Sequence, residues 1–246
     1  MDRSLYIAMS GASQTLLAQA SNANNLANTQ TVGFKSDMDQ FRSQPVFGPG
    51  YPSRVFAMTE RPGTDLSSGT IRITGRDLDV AIKGEGWIAV QGENGREAYT
   101  RAGDLRVTPQ GLLQTGSGLS VIGNNGPIAI PPAEKLEIGR DGTISIISLS
   151  DTPETMAVTD QIKLVNPPLD QLVKLNDGLM HLKQGGFVDA SAEVTLTQGA
   201  LESSNVNGIE AMVNMIELSK NFEIQVKIMK TADENSGVTA RLIRMS

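Results

Sequence analysis

Residues 209–244 have the sequence IEAMVNMIELSKNFEIQVKIMKTADENSGVTARLIR, and this stretch decides the fold. Its apolar residues recur at alternating steps of three and four, which places them on one side of a helix. This side, the C-terminal seam, consists of Met212, Met215, Ser219, Phe222, Val226, Met229, Asp233, Ser236, Ala240 and Ile243. Charged residues of both signs flank the seam, and we expect them to solvate the outer face. Because the seam becomes polar beside Gly237, we expect the last turns to bend or fray.

A second helix with the same spacing is predicted near the N-terminus. Its seam, the N-terminal seam, consists of Leu5, Met9, Ala12, Leu16, Gln19, Ala23 and Leu26. Two long apolar seams, one at each end of the chain, favour a single coiled coil, and the alternative is that each helix packs separately on a globular core. We expect the first helix to end near Asn28 and the chain to turn at Gly33.

The middle of the chain predicts a β-rich domain. From about Thr70 apolar residues alternate with polar ones, and Asn-Gly and Asp-Gly pairs separate the short runs, which is typical of antiparallel hairpins. The fold class is therefore α+β, with terminal helices that form a coiled-coil domain and an inserted antiparallel all-β domain. The expected segments are an N-terminal helix (1–35), an extended connector rich in Pro and Gly (36–75), the β-rich domain (76–190), a return connector (191–208) and the C-terminal helix (209–246).

Composition excludes several classes of function. The net charge of −6 argues against a nucleic-acid partner, and the absence of cysteine excludes disulfides and thiol nucleophiles. Most of the negative charge lies in residues 36–208, which carry −7, whereas the two ends are nearly neutral. We find neither a stretch long enough for a membrane span nor the pattern of a cleaved signal peptide.

Candidate chemical sites are few. The single histidine, His181, has no cysteine with which to form a zinc site, and Gly84-Glu85-Gly86 lacks the third glycine of a dinucleotide loop. Asp77 and Asp79 are two apart, which allows a paired-carboxylate or cation site, but acids on the solvent face of a strand explain them more simply. We therefore predict no catalytic residue, no cofactor and no metal site.

Three motifs, in this order, resemble those of the flagellar rod and hook protein family. The first is ANNLAN (23–28) with GFK (33–35), the second is GEGWIAV (84–90) with AYTRAGDL (98–105), and the third is QGALESSNVN (198–207). The opening MDRSLY (1–6) and the ending TADENSG (231–237) through RMS (244–246) look most like one protein of the basal-body rod, and the distal rod protein FlgG is the alternative.

The resemblance implies a structural subunit of the periplasmic drive shaft that joins the motor to the hook. It implies export through the flagellar export apparatus without a cleaved signal peptide, an inner tube wall of terminal helices and an outer layer of β-domains. The implied partners are copies of the chain, the proximal rod proteins FlgB and FlgC, and FlgG. Less favoured alternatives are a secreted β-domain adhesin and a wall hydrolase.

Two sets of residues are the predicted functional sites. The assembly interface consists of Leu5, Met9, Ala12, Leu16, Ala23, Leu26, Met212, Met215, Phe222, Val226, Met229 and Ile243. The turn motif, which joins the first helix to the connector, consists of Asn25, Asn28, Gly33, Phe34 and Lys35.

Overall fold

The chain has one helix at each end and eighteen strands among the residues described between them. The structure is a computed structural model that describes residues 3–45, 55–92, 94–148 and 156–245. The helices are α1 (Arg3–Ala27) and α2 (Gly208–Met245). The strands are β1 (Asp37–Pro45), β2 (Val55–Thr64), β3 (Ile71–Ile73), β4 (Val80–Lys83), β5 (Trp87–Gln91), β6 (Glu97–Thr100), β7 (Leu105–Val107), β8 (Leu113–Thr115), β9 (Ser120–Gly123), β10 (Gly126–Pro127), β11 (Ala133–Ile138), β12 (Thr143–Ser148), β13 (Ala157–Gln161), β14 (Leu164–Val165), β15 (Leu172–Lys174), β16 (Met180–Leu182), β17 (Thr195–Gln198) and β18 (Ala200–Glu202).

The chain divides into two compact units. The helical unit contains residues 1–28, 37–64 and 206–246, and the β unit contains residues 29–36 and 65–205. The helical unit has nine acidic and nine basic residues, so the β unit, with eighteen and twelve, carries the whole net charge of −6. The predicted α+β class, with a large antiparallel β region between terminal helices, is confirmed.

In the helical unit, α1 and α2 pack against each other as an antiparallel pair. Asn22 Nδ2 donates a hydrogen bond of 2.7 Å to the carbonyl of Ala211, and Gly11 lies against the side chain of Gln225. A Cβ at position 11 would come within 3.1 Å of that side chain, so glycine allows the close approach. The helix pair therefore joins the two ends of the chain within one subunit.

The segment that we expected to be an extended connector contains a β-hairpin, and this expectation was wrong. Strands β1 and β2 pair in antiparallel register from Asp37↔Thr64 to Pro45↔Val55. The hairpin packs on α1, where Gln14 Oε1 accepts a hydrogen bond of 2.8 Å from the Thr59 amide. Gly48, Pro49, Gly50 and Pro52, on which the expectation rested, lie outside the described residues. In the sequence these residues lie between β1 and β2, and the paired residues lie on either side of them.

The end of α2 lies well beyond Gly237, since the helix continues to Met245. A bend in its last turns stays a prediction. The helix begins at Gly208, and Asn207 caps it, because Asn207 Oδ1 accepts hydrogen bonds from the amides of Ile209 and Glu210 at 3.1 and 3.4 Å. Asn205, two positions earlier, has another role, described below.

The β unit has several antiparallel sheets. The largest has the strand order β15-β16-β6-β5-β9-β8-β7, and β10 and β14 add to β9 and β5. Strands β11, β12 and β13 form a second sheet, and β17 and β18, in the expected return connector, pair with β4 and β3. One core contains Val80, Ile88, Val90, Leu105 and Ile144, and a second surrounds Trp87 and Tyr99. The last strands before α2 are thus integral to the β unit.

Candidate assembly surface and buried ion-pair cluster

The intramolecular face of α2 is rotated from the predicted C-terminal seam. Its buried and half-buried side chains are Ala211, Met215, Leu218, Phe222, Gln225, Met229 and Ala232. Of the predicted interface residues, Met215, Phe222 and Met229 lie on this face, whereas Met212 and Val226 are exposed. The side chain of Ile243 lies outside the described residues.

On α1 the contact face is made of small residues. Its buried residues are Ala8, Gly11, Ala12, Thr15, Ala18, Ser21 and Asn25. Of the predicted N-terminal residues, Ala12 is buried, Leu5 and Leu26 are half-buried, and Met9, Leu16 and Ala23 are exposed. The sequence pattern favoured the large apolar residues, but the small ones form the contact because they let α2 and the hairpin approach the α1 backbone closely.

A second apolar stripe runs along the opposite side of α2. We call it the outer stripe; its residues are Ile209, Val213, Ile216, Ile224 and Ile228, and they are 44–76 % exposed. A helix turns by about 100° per residue, which places the first four of these positions on the side opposite the face that contacts α1 and Ile228 at the edge of that side. The charged residues expected on the outer face are exposed there, but the sequence did not predict the β-branched apolar residues among which Lys220 and Lys227 lie. α2 thus carries apolar surface on two sides.

α1 also exposes large apolar side chains on the side away from its buried face. Met9, Leu16 and Leu17 are 51 %, 49 % and 56 % exposed. In a monomeric soluble protein, contiguous exposed apolar surface of this kind usually marks an interaction site. The two helices of one subunit therefore cover each other on one side and leave an apolar surface on the other.

The predicted turn-motif residues lie in both units. In the helical unit, Asn25 holds the backbone of Asp37 by two hydrogen bonds, of 2.8 Å to the carbonyl and 2.9 Å from the amide. Asn28 Nδ2 donates to the carbonyl of Asn24 at the end of α1. In the β unit, Gly33 has a φ of +67°, a conformation that favours glycine, and the ammonium of Lys174 lies 3.9 Å from the ring centre of Phe34.

Lys35 is the turn-motif residue whose surroundings the sequence did not predict. It is 3 % exposed, and its Nζ donates to Glu202 Oε1 and to the Ser67 carbonyl, both at 2.7 Å. Glu202 also accepts from Arg101 Nη1 at 2.9 Å and from the Gly69 amide at 2.9 Å. These three buried charges, Lys35, Arg101 and Glu202, form what we call the ion-pair cluster.

Arg101 extends the cluster to the second motif. Its Nη2 donates a hydrogen bond of 2.9 Å to the carbonyl of Gly84, and its guanidinium lies 5.3 Å from the ring centre of Trp87. Among the described residues, its buried Nε has no hydrogen-bond partner. Each of the three family-like motifs therefore contributes to one buried site: Lys35 from the first, Arg101, Gly84 and Trp87 from the second, and Glu202 from the third.

Burial and charge act in opposite directions on the pKa values of the cluster. Burial lowers the pKa of the Lys35 ammonium by more than its pairing with Glu202 raises it. Burial alone would raise the pKa of Glu202, but the hydrogen bond from Lys35 and the charge of Arg101 outweigh this effect and hold it below its ordinary value. Because Glu202 faces two cations, its ionised form is the one that the cluster requires.

Asn205 lies next to the cluster and holds two further segments of the β unit. Its Oδ1 accepts a hydrogen bond of 2.8 Å from the Ser36 amide, and its Nδ2 donates to the Asp65 carbonyl at 2.9 Å. The Asp65 amide in turn donates to the Ser36 carbonyl at 2.8 Å. The third motif thus holds the points where the chain leaves the β unit after Ser36 and returns to it at Asp65.

The carboxylate pair considered in the sequence does not form. Asp77 is exposed, whereas Asp79 is 1 % exposed, accepts a hydrogen bond of 2.6 Å from Thr74 Oγ1 and pairs with Arg76. The simple alternation fails here because residues 77–78 form a turn before β4. Asp79 bridges Asp104 on the backbone, and burial, with a smaller contribution from the charge of Asp79, raises the pKa of Asp104.

Two remaining observations concern ligands and membranes. Within the described ranges, no group of three or more His, Cys, Asp and Glu side chains is arranged to hold a metal ion. His181 pairs with Asp177 at 2.8 Å. None of the helices in the described part of the chain has the length and hydropathy that a bilayer crossing requires.

The fold and the three motifs define a class of protein, the rod and hook proteins of the bacterial flagellum. Three family models match the chain: "Flagella basal body rod protein" over residues 5–35, "Flagellar hook protein FlgE/F/G D1 domain" over 81–146, and "Flagellar basal body rod FlgEFG protein C-terminal" over 197–242. These ranges contain Lys35, Arg101 and Glu202, one residue each.

Comparison with whole proteins narrows the class. The chain is 39 % identical over 252 residues to the flagellar basal-body rod protein FlgF of Salmonella typhimurium and to that of Escherichia coli, with all of both chains covered. It is 32 % identical to FlgG of Bacillus subtilis, with 95 % of this chain and 96 % of that one covered. The chain belongs to the FlgF family of flagellar basal-body rod proteins, which confirms the resemblance inferred from its motifs.

Proposed function

We propose that this chain is a structural subunit of the flagellar basal-body rod and that it assembles through the outward faces of its terminal helices. The observation that carries the proposal is the outer stripe of α2, which is apolar and exposed although α2 already packs on α1. The FlgF relatives are flagellar basal-body rod proteins by name, and membership of this family supports the same role here.

The outer stripe has the chemistry of a subunit interface. Burial of an Ile or Val side chain contributes about 1.5–3 kcal/mol, and the loss of rigid-body freedom on association costs about 4–15 kcal/mol. Several stripe residues are therefore sufficient to offset much of that cost. Because the helical unit has a net charge of zero, copies of it pack together without net repulsion.

The partners that we propose are copies of this chain and other rod proteins, including FlgB, FlgC and FlgG. Four of the predicted interface residues are exposed and belong to the surface between subunits: Met9, Leu16, Met212 and Val226. Six other predicted residues hold the helix pair together within one subunit: Leu5, Ala12, Leu26, Met215, Phe222 and Met229. The helix pair in turn presents the surface between subunits. Ala23 and Ile243 stay in the proposed interface as predictions from the sequence.

The rod position implies a location and a mechanical role. We propose that the subunit lies in the periplasmic rod, that the flagellar export apparatus delivers it without a cleaved signal peptide, and that its terminal helices line the tube. A drive shaft transmits torque only if its subunits resist deformation. The long helix pair and the buried ion-pair cluster supply that resistance, one within each unit.

Electron microscopy of basal bodies from a strain that lacks this chain tests the proposal. A rod subunit predicts basal bodies with an incomplete rod and no hook, and re-expression of the intact chain restores both. Complete rods in the deletion strain contradict it. An adhesin predicts a different result, since a chain truncated before residue 209 would then keep its function, whereas a rod subunit loses it.

A further inference from the structure

The β unit is completed by its last two strands. Strand β17 pairs with β4 and strand β18 pairs with β3, although the paired residues are more than 110 positions apart in the sequence. Glu202, the final residue of β18, is 167 residues from Lys35, 101 from Arg101 and 133 from Gly69, the three residues whose N–H groups its carboxylate binds. These contacts are therefore among the most nonlocal in the fold.

Before Glu202 arrives, the same site contains two cations. Lys35 is 3 % exposed and Arg101 is 4 % exposed in the folded state, and the charge of Arg101 adds to the effect of burial in lowering the pKa of Lys35. Asp65 also raises the pKa of Lys35, but its effect is smaller than that of Glu202. A compact β unit without β18 would thus bury two like charges with little compensation, which is strongly unfavourable.

We propose that this site is a late-closing lock: Lys35 and Arg101 oppose closure of the β unit until β18 delivers the carboxylate of Glu202 between them. The backbone reinforces the lock, since the Gly33 amide donates to the Glu202 carbonyl at 2.8 Å and a Cβ on Gly69 would come within 1.9 Å of the Ser203 carbonyl oxygen. The β unit folds fully only when the chain is present through Glu202.

This order of folding suits a subunit that passes through a narrow export channel as an open chain. That consequence rests on the proposed function, but the lock itself does not. The chain is synthesised from its N-terminus, so most of the β unit is made before Glu202 is available. Mutual repulsion of the two cations keeps that earlier portion open.

Folding kinetics of the full chain test the lock. Trp87 is the only tryptophan and lies against Arg101, so its fluorescence reports on the cluster without interference from the helical unit. If the lock closes after the transition state, Glu202→Gln speeds unfolding by at least about tenfold and changes the folding rate by less than about twofold. The comparison variant is Val90→Ala, in the local β5–β6 hairpin, which is expected to slow folding more.

A second variant acts on the cations. Lys35→Met leaves Arg101 and Glu202 as a balanced pair and removes the repulsion from the open chain, so it is expected to speed folding and also to speed unfolding. This result would be unexpected for a residue with a merely structural role. Lys35→Met also tests the lock if the Glu202→Gln variant does not fold.

The lock is overturned if Glu202→Gln slows folding in proportion to the stability that it removes, with a φ-value equal to or above that of Val90→Ala. It is also overturned if Lys35→Met slows folding. Neither measurement involves rods or export, so a failure of the proposed assembly function would leave the kinetic result unaffected, and the reverse also holds.

Discussion

The Nζ atom of Lys35 lies 2.7 Å from Oε1 of Glu202, and both side chains are almost completely buried. Arg101 balances the second carboxylate oxygen at 2.9 Å. A buried ion pair often stabilises a fold no more than apolar residues of similar volume would, but the loss of one partner leaves an uncompensated buried charge. The cluster therefore makes the β unit depend on all three residues at once.

The first prediction concerns the stability of the β unit. Glu202→Gln is expected to lower the free energy of unfolding by about 3–5 kcal/mol, because two buried cations lose their counter-charge. Urea titration followed by Trp87 fluorescence measures this loss. The control is Glu137→Gln, which breaks the solvent-exposed pair with Lys135 in the same unit and is expected to cost less than about 1 kcal/mol. Equal losses of unfolding free energy in the two variants would mean that the buried cluster stabilises the β unit no more than an exposed ion pair does.

The second prediction concerns the contribution of Glu202 to stability at acidic pH. The folded-state pKa of Glu202 is below its ordinary value of 4.5, so its contribution to stability is complete above that pH and is lost as the pH falls through the folded pKa. The difference in unfolding free energy between the intact chain and Glu202→Gln is therefore expected to be constant near neutral pH and to shrink in acid. Urea titrations across this range measure it, and a difference that grows as the pH falls would contradict the ionised cluster.

The third prediction concerns Asp104, whose pKa is shifted in the opposite direction to that of Glu202. Burial raises the folded-state pKa of Asp104 above its ordinary value of 3.8, so protonation of this carboxyl favours the fold. That stabilisation is complete below the unfolded pKa and is lost as the pH rises through the folded one. Asp104→Asn is expected to raise the unfolding free energy at neutral pH and to have little effect in acid. Thermal unfolding at both pH values tests this, and a loss of stability at neutral pH would show that the hydrogen bonds which Asp104 accepts matter more.

The fourth prediction isolates the close approach at Gly33. Gly33 and Gly84 both have positive φ, so Ala at either position costs about 1–2 kcal/mol of backbone strain. A Cβ at Gly33 would also lie 2.3 Å from the carbonyl carbon of Arg101, whereas no atom of the described residues beyond its chain neighbours would lie within 4 Å of a Cβ at Gly84. Gly33→Ala is therefore expected to destabilise the β unit distinctly more than Gly84→Ala in the same urea titration. Similar losses would mean that the backbone near Arg101 moves aside easily.

Several parts of the fold were predictable from one sequence because their signals are local. The steps of three and four around Phe222 predicted α2, and the Asn-Gly and Asp-Gly turns predicted the antiparallel β region. The contact face of α2 was predicted one position away, because the pattern weighed Met212 above Ala211 and does not encode how closely the small residues of α1 allow the helices to approach.

Other features depend on contacts between distant residues. The β1–β2 hairpin was missed because the prolines and glycines at residues 48–52 argue against strands, although strands of nine and ten residues lie on either side of this stretch. The ion-pair cluster was missed because charge alone does not pair Lys35 with a residue 167 positions away. A signal was present, since each of the three motifs contains one of the cluster's charges, and a buried role for all three would have explained why they occur together.

The central claim is that the outer stripe of α2 joins subunits. Its most direct test is the amount of this chain in basal bodies purified from cells that express Ile216→Asp, compared with Asn214→Asp, which adds the same charge to an exposed position of α2 that has no stripe residue three, four or seven positions away. Ile216→Asp is expected to be absent from the basal bodies and to abolish motility, while Trp87 reports an unchanged β unit, and Asn214→Asp is expected to assemble normally. Normal incorporation of Ile216→Asp into functional rods would contradict the claim.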